Sequence, residues 1–298
     1  MSLKVDTTTF KLNNGAEIPA IGLGTWRATE ENSAYTAVKT ALQNGYRHID
    51  TAAAYGNEEE VGKAIKDSGV PREEIFITTK LWNTRHKEVE AALDESLKKL
   101  GLEYIDLYLM HWPVPTNSAT GEFFIEGWSY VDTYKSLEKV YKSTKKIKTI
   151  GVSNFTIPKL QAILDDKEIT TVPAVNQIEL HPLFPQPKLL AFMKEHGIYA
   201  EAYSPLGSAD SPLFKNEDVV SIAKKLDAEP AQVLVSWAIQ RGTIVLPKSV
   251  TPSRVISNLK TLTLSEEDFA TLNGLADKHG KIRTCDVPEW KAFVDDVY

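Results

Sequence analysis

Eight short apolar segments recur along the chain, each separated from the next by a stretch of helical pattern. They occupy residues 21–26, 46–51, 75–81, 105–112, 149–155, 174–180, 199–206 and 243–248. Most are apolar on both faces, as strands are when helices cover both sides of a parallel sheet. Between them, Val89, Ala92, Leu93, Ser96, Leu97 and Leu100 fall at helical spacing, as do Ala34, Ala37, Val38, Ala41 and Leu42, and Val233, Leu234, Trp237 and Ala238. Helices are expected to stop at Gly45, Gly101, Gly197 and Gly242, since glycine takes the left-handed cap without a Cβ clash. Eight strands, each followed by a helix, predict a (β/α)8 TIM barrel in a single domain over 1–298. A doubly wound open sheet fits less well. Its glycine-rich turn would fall at Gly22-Leu-Gly24-Thr-Trp-Arg27, which lacks the third small residue.

Four stretches lie outside the rhythm. Phe10-Lys-Leu12, Asn13-Asn-Gly15 and Ala16-Glu-Ile-Pro19 read as an N-terminal β-hairpin capping one end of the barrel. Residues 113–128 and 207–216 are long loops after the fourth and seventh strands, on the face where barrel active sites lie. Closure of the 207–216 loop is expected to limit turnover. The tail from Gly280 carries Trp290 and Phe293 and is expected to fold over the barrel mouth.

With 42% hydrophobic and 25% charged residues the chain has material for a large core. Its net charge of −6 argues against broad nucleic-acid or membrane-surface binding, though a few local cations suffice for an anionic cofactor. The single cysteine, Cys285, excludes an internal disulfide and reads as an idle thiol in a reducing compartment. No segment reads as a targeting signal or membrane helix, so a cytoplasmic protein is expected. The sequon at Asn154 is read as chance. No obvious interface predicts more than a monomer or weak dimer.

Four polar residues fall at or just beyond the second, third and fourth strands: Asp50, Tyr55, Lys80 and His111. Singly, each has an ordinary structural explanation. At one end of a barrel they converge, and their chemistry is coherent. A tyrosine has a pKa of about 10 and is a poor acid at neutral pH. The Lys80 ammonium is expected to lower it, with Asp50 holding Lys80 in place. Tyr55 then serves as proton donor, and His111 orients a carbonyl oxygen. These groups suit protonation of an alkoxide as hydride arrives, but they supply no hydride, so a cofactor is implied. No histidine cluster has metal-ligand spacing, and no metal is expected.

These residues sit within longer motifs: Gly22-Leu-Gly-Thr-Trp26, His48-Ile-Asp-Thr-Ala52 with Tyr55, Thr79-Lys-Leu-Trp82, Leu107-Tyr-Leu-Met-His-Trp-Pro113, Gly151-Val-Ser-Asn-Phe155, Gln177-Ile-Glu-Leu-His-Pro182, Ala202-Tyr-Ser-Pro-Leu-Gly207 and Leu246-Pro-Lys-Ser249. In them the chain resembles the aldo-keto reductases, most closely the fungal aldose, glycerol and ketone reductases, from about Asn13 to the tail. The resemblance implies NADPH-dependent reduction of aldehydes and ketones, reversible with polyols, with Tyr55 as general acid. It implies that Ser153, Asn154 and Gln177 bind the nicotinamide carboxamide and that Tyr203 stacks on the ring. Ser204, Leu206, Ser208 and Asp210 would line the pyrophosphate. Lys248, Ser249 and Arg254 would hold the 2′-phosphate, a role two cations and a hydroxyl at a helix start also suit chemically. Thr25, Trp26, Asp50, Val250, Thr251 and Asn258 complete the implied cofactor contacts. Ser257 departs from the family pattern, where an acidic residue often stands beside the adenine. Trp26, Trp82, Trp112 and Trp128, with Tyr55 and His111, are expected to wall the pocket of a small carbonyl substrate. The rival readings are a non-catalytic cofactor-binding or structural protein on the same fold, and a barrel hydrolase.

Overall fold

The computed structural model describes residues 2–208 and 211–296. Its central sheet has eight parallel strands in chain order: β1 (Leu23–Gly24), β2 (His48–Asp50), β3 (Phe76–Leu81), β4 (Leu107–Met110), β5 (Ile150–Ser153), β6 (Val175–Glu179), β7 (Tyr199–Tyr203) and β8 (Ile244–Val245). A parallel bridge between Ile21 and Val245 joins the last strand to the segment entering the first, and the Gly22 N–H donates to the Val245 carbonyl at 2.9 Å. The sheet therefore closes into the expected barrel. Each strand lies inside one of the eight apolar segments, shortened at its ends.

Helices cover the outside because each buries one stripe. In Val89–Leu100 the buried positions are Val89, Ala92, Leu93, Ser96, Leu97 and Leu100, the spacing of a single helical face. Fully burying one such leucine contributes about 1.5–3 kcal/mol. Gly101 ends this helix at φ +65°, and Gly45, Gly197 and Gly242 also take positive φ beyond their helices. One helix between β7 and β8 was not foreseen: Glu217–Lys225 precedes the expected one, Pro230–Gln240. The first begins where the 207–216 loop ends, because the Asn216 side chain accepts from the Asp218 and Val219 N–H groups.

The hairpin, Thr9–Lys11 against Glu17–Pro19, seals the end of the barrel where the strands begin. Its Leu12 and Ile18 are buried in one cluster with Phe76, Leu107, Val175 and Ile244. The opposite mouth is covered in part by the tail. Trp290 meets Trp82 and Trp112 edge-on at 5.8 and 5.2 Å, and Phe123 of the long loop lies 6.1 Å from it. Among the described residues, no helix is long and apolar enough to cross a membrane.

Candidate active site

A cavity of about 880 Å³ opens at the ends of the strands, between the barrel and the tail. Asp50 ends β2. Beyond it Ala53–Tyr55 forms a tight turn that stops at Gly56, φ +69°, and this turn delivers Tyr55 to the cavity floor. Lys80 lies on β3, with Leu109 of β4 opposite it. Its buried Nζ donates to Asp50 Oδ1 at 2.7 Å, to the Thr51 carbonyl at 2.9 Å and to the Tyr55 hydroxyl at 3.3 Å. The His111 ring stands 5.7 Å from that of Tyr55, nearly perpendicular to it. The four residues singled out in the sequence thus meet at one point.

The electrostatics depart from expectation in one respect. Tyr55 is raised to about 12, not lowered: burial outweighs the opposing charge of Lys80. Burial pulls Lys80 down, but the charges of Asp50, Tyr55 and Glu201 overcome it and leave the ammonium above its ordinary range. Burial raises Asp50 against Lys80 and Gln177. His111 falls well below the ordinary histidine value through burial and then the Lys80 charge, so its ring is neutral. A protonated phenol and a neutral imidazole are both hydrogen-bond donors that a carbonyl oxygen can use.

One side of the cavity is built for amides. The Ser153 hydroxyl donates to the Gln177 carbonyl, Asn154 Nδ2 donates to the His111 carbonyl, and the Tyr203 hydroxyl donates to Asn154 Oδ1 at 2.7 Å. The backbone there is held in a costly form. Nine non-glycine residues have positive φ among those described, and four of them, Arg27, Asn154, Ser204 and Ser208, line this cavity. Such strain concentrates at binding sites. At the other end Lys248, Ser249, Arg254 and Asn258 line the wall with Arg27. Among the described residues, Arg27, Lys248 and Arg254 are in no ion pair with an acid. Burial, then the Arg27 charge, lowers Lys248, as expected of two cations sharing a site that wants an anion. An extended group with an amide at one end and phosphate at the other fits this donor set.

Several anticipated residues stand elsewhere. Trp128 is off the cavity wall, its Nε1 donating to Thr133 Oγ1 at 2.9 Å with Lys87 over its ring. Thr25 turns its hydroxyl to the Asp50 carbonyl. Val250 and Thr251 are exposed beyond the lining. Asp210 lies outside the described residues. The remaining anticipated residues line the cavity, except Lys80, which acts from beneath it. Cys285 is on the wall, and Val287 and Trp290 join it from the tail. Glu229 is also on the wall and accepts from the Ser257 hydroxyl at 3.0 Å. A carboxylate thus stands beside Ser257 from the cap of a neighbouring helix, a contact with no signature in the sequence. Glu201 was missed as well, although a charge in the middle of an apolar strand, Tyr-Ala-Glu-Ala-Tyr203, was a usable signal.

The aldo/keto reductase family model matches residues 20–277, most of the chain. The chain belongs to this family. An aldehyde reductase of Saccharomyces cerevisiae is 51% identical, covering 98% of both chains. A glycerol 2-dehydrogenase (NADP(+)) of the same yeast is 50% identical over the same shares. A Bombyx mori aldo-keto reductase solved in complex with NADP superposes with a TM-score of 0.88 at 35% identity, covering 97% of this chain and 98% of that one. The chain is thus an aldo-keto reductase enzyme. Among its described residues, no three His, Cys, Asp or Glu side chains are placed to hold a metal ion.

Proposed function

We propose that the enzyme reduces small aldehydes and ketones to alcohols with NADPH, and that Tyr55 is the proton donor. The observation that carries this reading is the stack of Asp50, Lys80 and Tyr55 at the floor of a cavity whose far wall holds unpaired cations. Ser153, Asn154 and Gln177 would hold the carboxamide, Tyr203 the nicotinamide ring, Ser204, Leu206 and Ser208 the pyrophosphate, and Lys248, Ser249 and Arg254 the 2′-phosphate. When bound, the cofactor supplies hydride to the carbonyl carbon. Neutral His111 donates to the carbonyl oxygen and orients it. Tyr55 gives its proton to that oxygen as negative charge develops there. Lys80 Nζ, already donating to the Tyr55 oxygen, stabilises the phenolate left behind, and Asp50 keeps Lys80 aimed. Trp26, Trp82, Trp112 and Trp290 exclude water from the reacting atoms. The barrel is proposed to act as one domain, and a chain with a single cysteine suits the cytoplasm.

The test is absorbance of reduced nicotinamide with a panel of aldehydes, sugars and ketones, comparing wild type with Tyr55→Phe. NADPH should be consumed only when a carbonyl is present, and kcat should fall by at least about 10²-fold in the variant. Undiminished turnover in Tyr55→Phe would remove Tyr55 from its role. Cofactor binding without turnover of any carbonyl would point to a non-catalytic protein.

A further inference from the structure

Beneath the site lies a second carboxyl group that the proposed chemistry does not use. Glu201, on β7, is in register with Gln177 on β6 and is fully buried. Its Oε2 accepts from Gln177 Nε2 at 2.7 Å, and the same nitrogen donates to Asp50 Oδ1 at 2.8 Å. Asp50 Oδ1 also accepts from the Lys80 ammonium, so the amide atom facing it must be nitrogen. Both hydrogens of that nitrogen are then engaged, and Gln177 is left with Oε1 for the cavity it lines.

The other oxygen, Glu201 Oε1, has no hydrogen-bond partner and rests 3.5 Å from His48 Nε2. His48 Nδ1 faces the Pro19 carbonyl at 3.4 Å, and a carbonyl calls for an N–H; Nε2 also lies 3.1 Å from the Thr78 hydroxyl, which can donate to it. Burial lowers His48 to about 3, so the ring is neutral with its proton on Nδ1 and a lone pair on Nε2. A buried, unpartnered carboxylate oxygen facing a lone pair would be costly; a protonated one would not. Burial, then the charge of Asp50, raises Glu201 to about 8, which agrees with that geometry.

We propose that Glu201 is a positioning residue: it fixes the Gln177 amide with Oε1 toward the cavity, and its own proton, held against His48, sets the charge that Tyr55 meets through Asp50 and Lys80. The proposal rests on the roles proposed for Gln177 and Tyr55. The titratable groups facing Glu201 are His48 and Asp50 on β2 and Lys80 on β3. Loss of the Glu201 proton puts a second anion beside Asp50. The added negative charge makes Tyr55 a weaker acid, and reduction slows.

Glu201→Gln copies the protonated form, with a carbonyl to accept from Gln177 and an amide to donate to His48. Its NADPH dissociation constant, read by quenching of tryptophan fluorescence, should stay within about twofold of wild type. Its kcat should lose the decline that wild type shows as pH rises through about 8. The infrared band of a buried protonated carboxyl, which wild type loses over the same range, should be missing from the variant. Glu201→Leu offers Gln177 no acceptor and should weaken NADPH binding on the order of tenfold. A pH profile that Glu201→Gln leaves unchanged overturns the proposal, as does a wild type without the carboxyl band. Both measurements use an isosteric variant, so they stand even if Glu201→Leu does not fold. Wild type silent toward every carbonyl would sink the reductase reading alone, since infrared and cofactor titration still decide the role of Glu201.

Discussion

Lys80 is wholly buried yet keeps its charge, because Asp50 stands 2.7 Å from its Nζ. Removing one member of such a pair leaves the other uncompensated. Lys80→Met should therefore cost about 3–5 kcal/mol in urea unfolding. It should also lower kcat by at least about 10²-fold in the NADPH assay, since nothing then stabilises the Tyr55 phenolate. Retained activity would show that Tyr55 needs no ammonium. Arg254 lies at the other end of the cavity and is proposed to hold the 2′-phosphate. Hydrogen bonds to charged groups contribute about 1.5–3 kcal/mol, so Arg254→Ala should weaken NADPH binding about 10- to 100-fold and leave NADH binding unchanged. Equal losses for both cofactors would place Arg254 away from the 2′-phosphate. At this scale the meeting of Asp50, Tyr55, Lys80 and His111 was legible, because strand ends in a barrel must converge. The direction of the Tyr55 shift was not. It depends on how burial weighs against one neighbouring charge, and a sequence does not reveal burial.

At the scale of elements, the strands and the hairpin were legible because periodicity and an Asn-Gly turn are local signals. What dresses the mouth was less so, because its contacts join residues far apart in the chain. The tail illustrates this. Glu179, at the end of β6, accepts through Oε1 from the Thr284 N–H at 2.6 Å and hydroxyl at 2.7 Å, and through Oε2 from the Cys285 N–H at 2.8 Å. This one carboxylate pins the start of the tail to the barrel, and Cys285, Val287 and Trp290 follow as cavity wall. Its position in Gln177-Ile-Glu-Leu gave no hint of a partner about a hundred residues away. Glu179→Ala should free the tail while leaving the cation end of the cavity intact. KM for the carbonyl should rise several-fold, the NADPH dissociation constant should barely change, and limited proteolysis should cut first near residue 284. A tail as protease-resistant as in wild type would mean that its other contacts, the rings around Trp290, the Ile282 N–H to the Leu183 carbonyl and the Lys159–Asp295 pair, hold it without Glu179.

For the molecule as a whole, several buried ionisable groups outside the Lys80–Asp50 pair give up charge, and this shapes the response to pH. Burial lowers His48 and His86 to about 3 and takes His111 well below its ordinary value. Unfolded histidines titrate near 6.5, so between about pH 6.5 and 3 unfolding takes up protons and stability falls with pH. Glu201, raised to about 8, and Asp296, raised to about 6, act in the opposite sense. They hold protons that the unfolded chain has released above about pH 4, so their contribution is lost as pH rises. The two sets offset each other between about pH 5 and 6.5. Below about pH 4.5 the unfolded carboxylates are protonated too, and the histidines act unopposed. A single site isolates their effect. His86 Nδ1 lies 3.0 Å from the Thr133 hydroxyl and its Nε2 has no partner, so burial outweighs the one backbone contact, to Trp112, that favours the charged ring. His86→Gln should be less stable than wild type at pH 7 through lost packing. That difference should shrink by about 1.4 kcal/mol per pH unit as pH falls from about 6 toward 3, because only wild type must then forgo protonating a histidine in order to fold. Urea unfolding of both proteins across that range gives the slope, and parallel curves would mean that His86 gains its proton without leaving the fold.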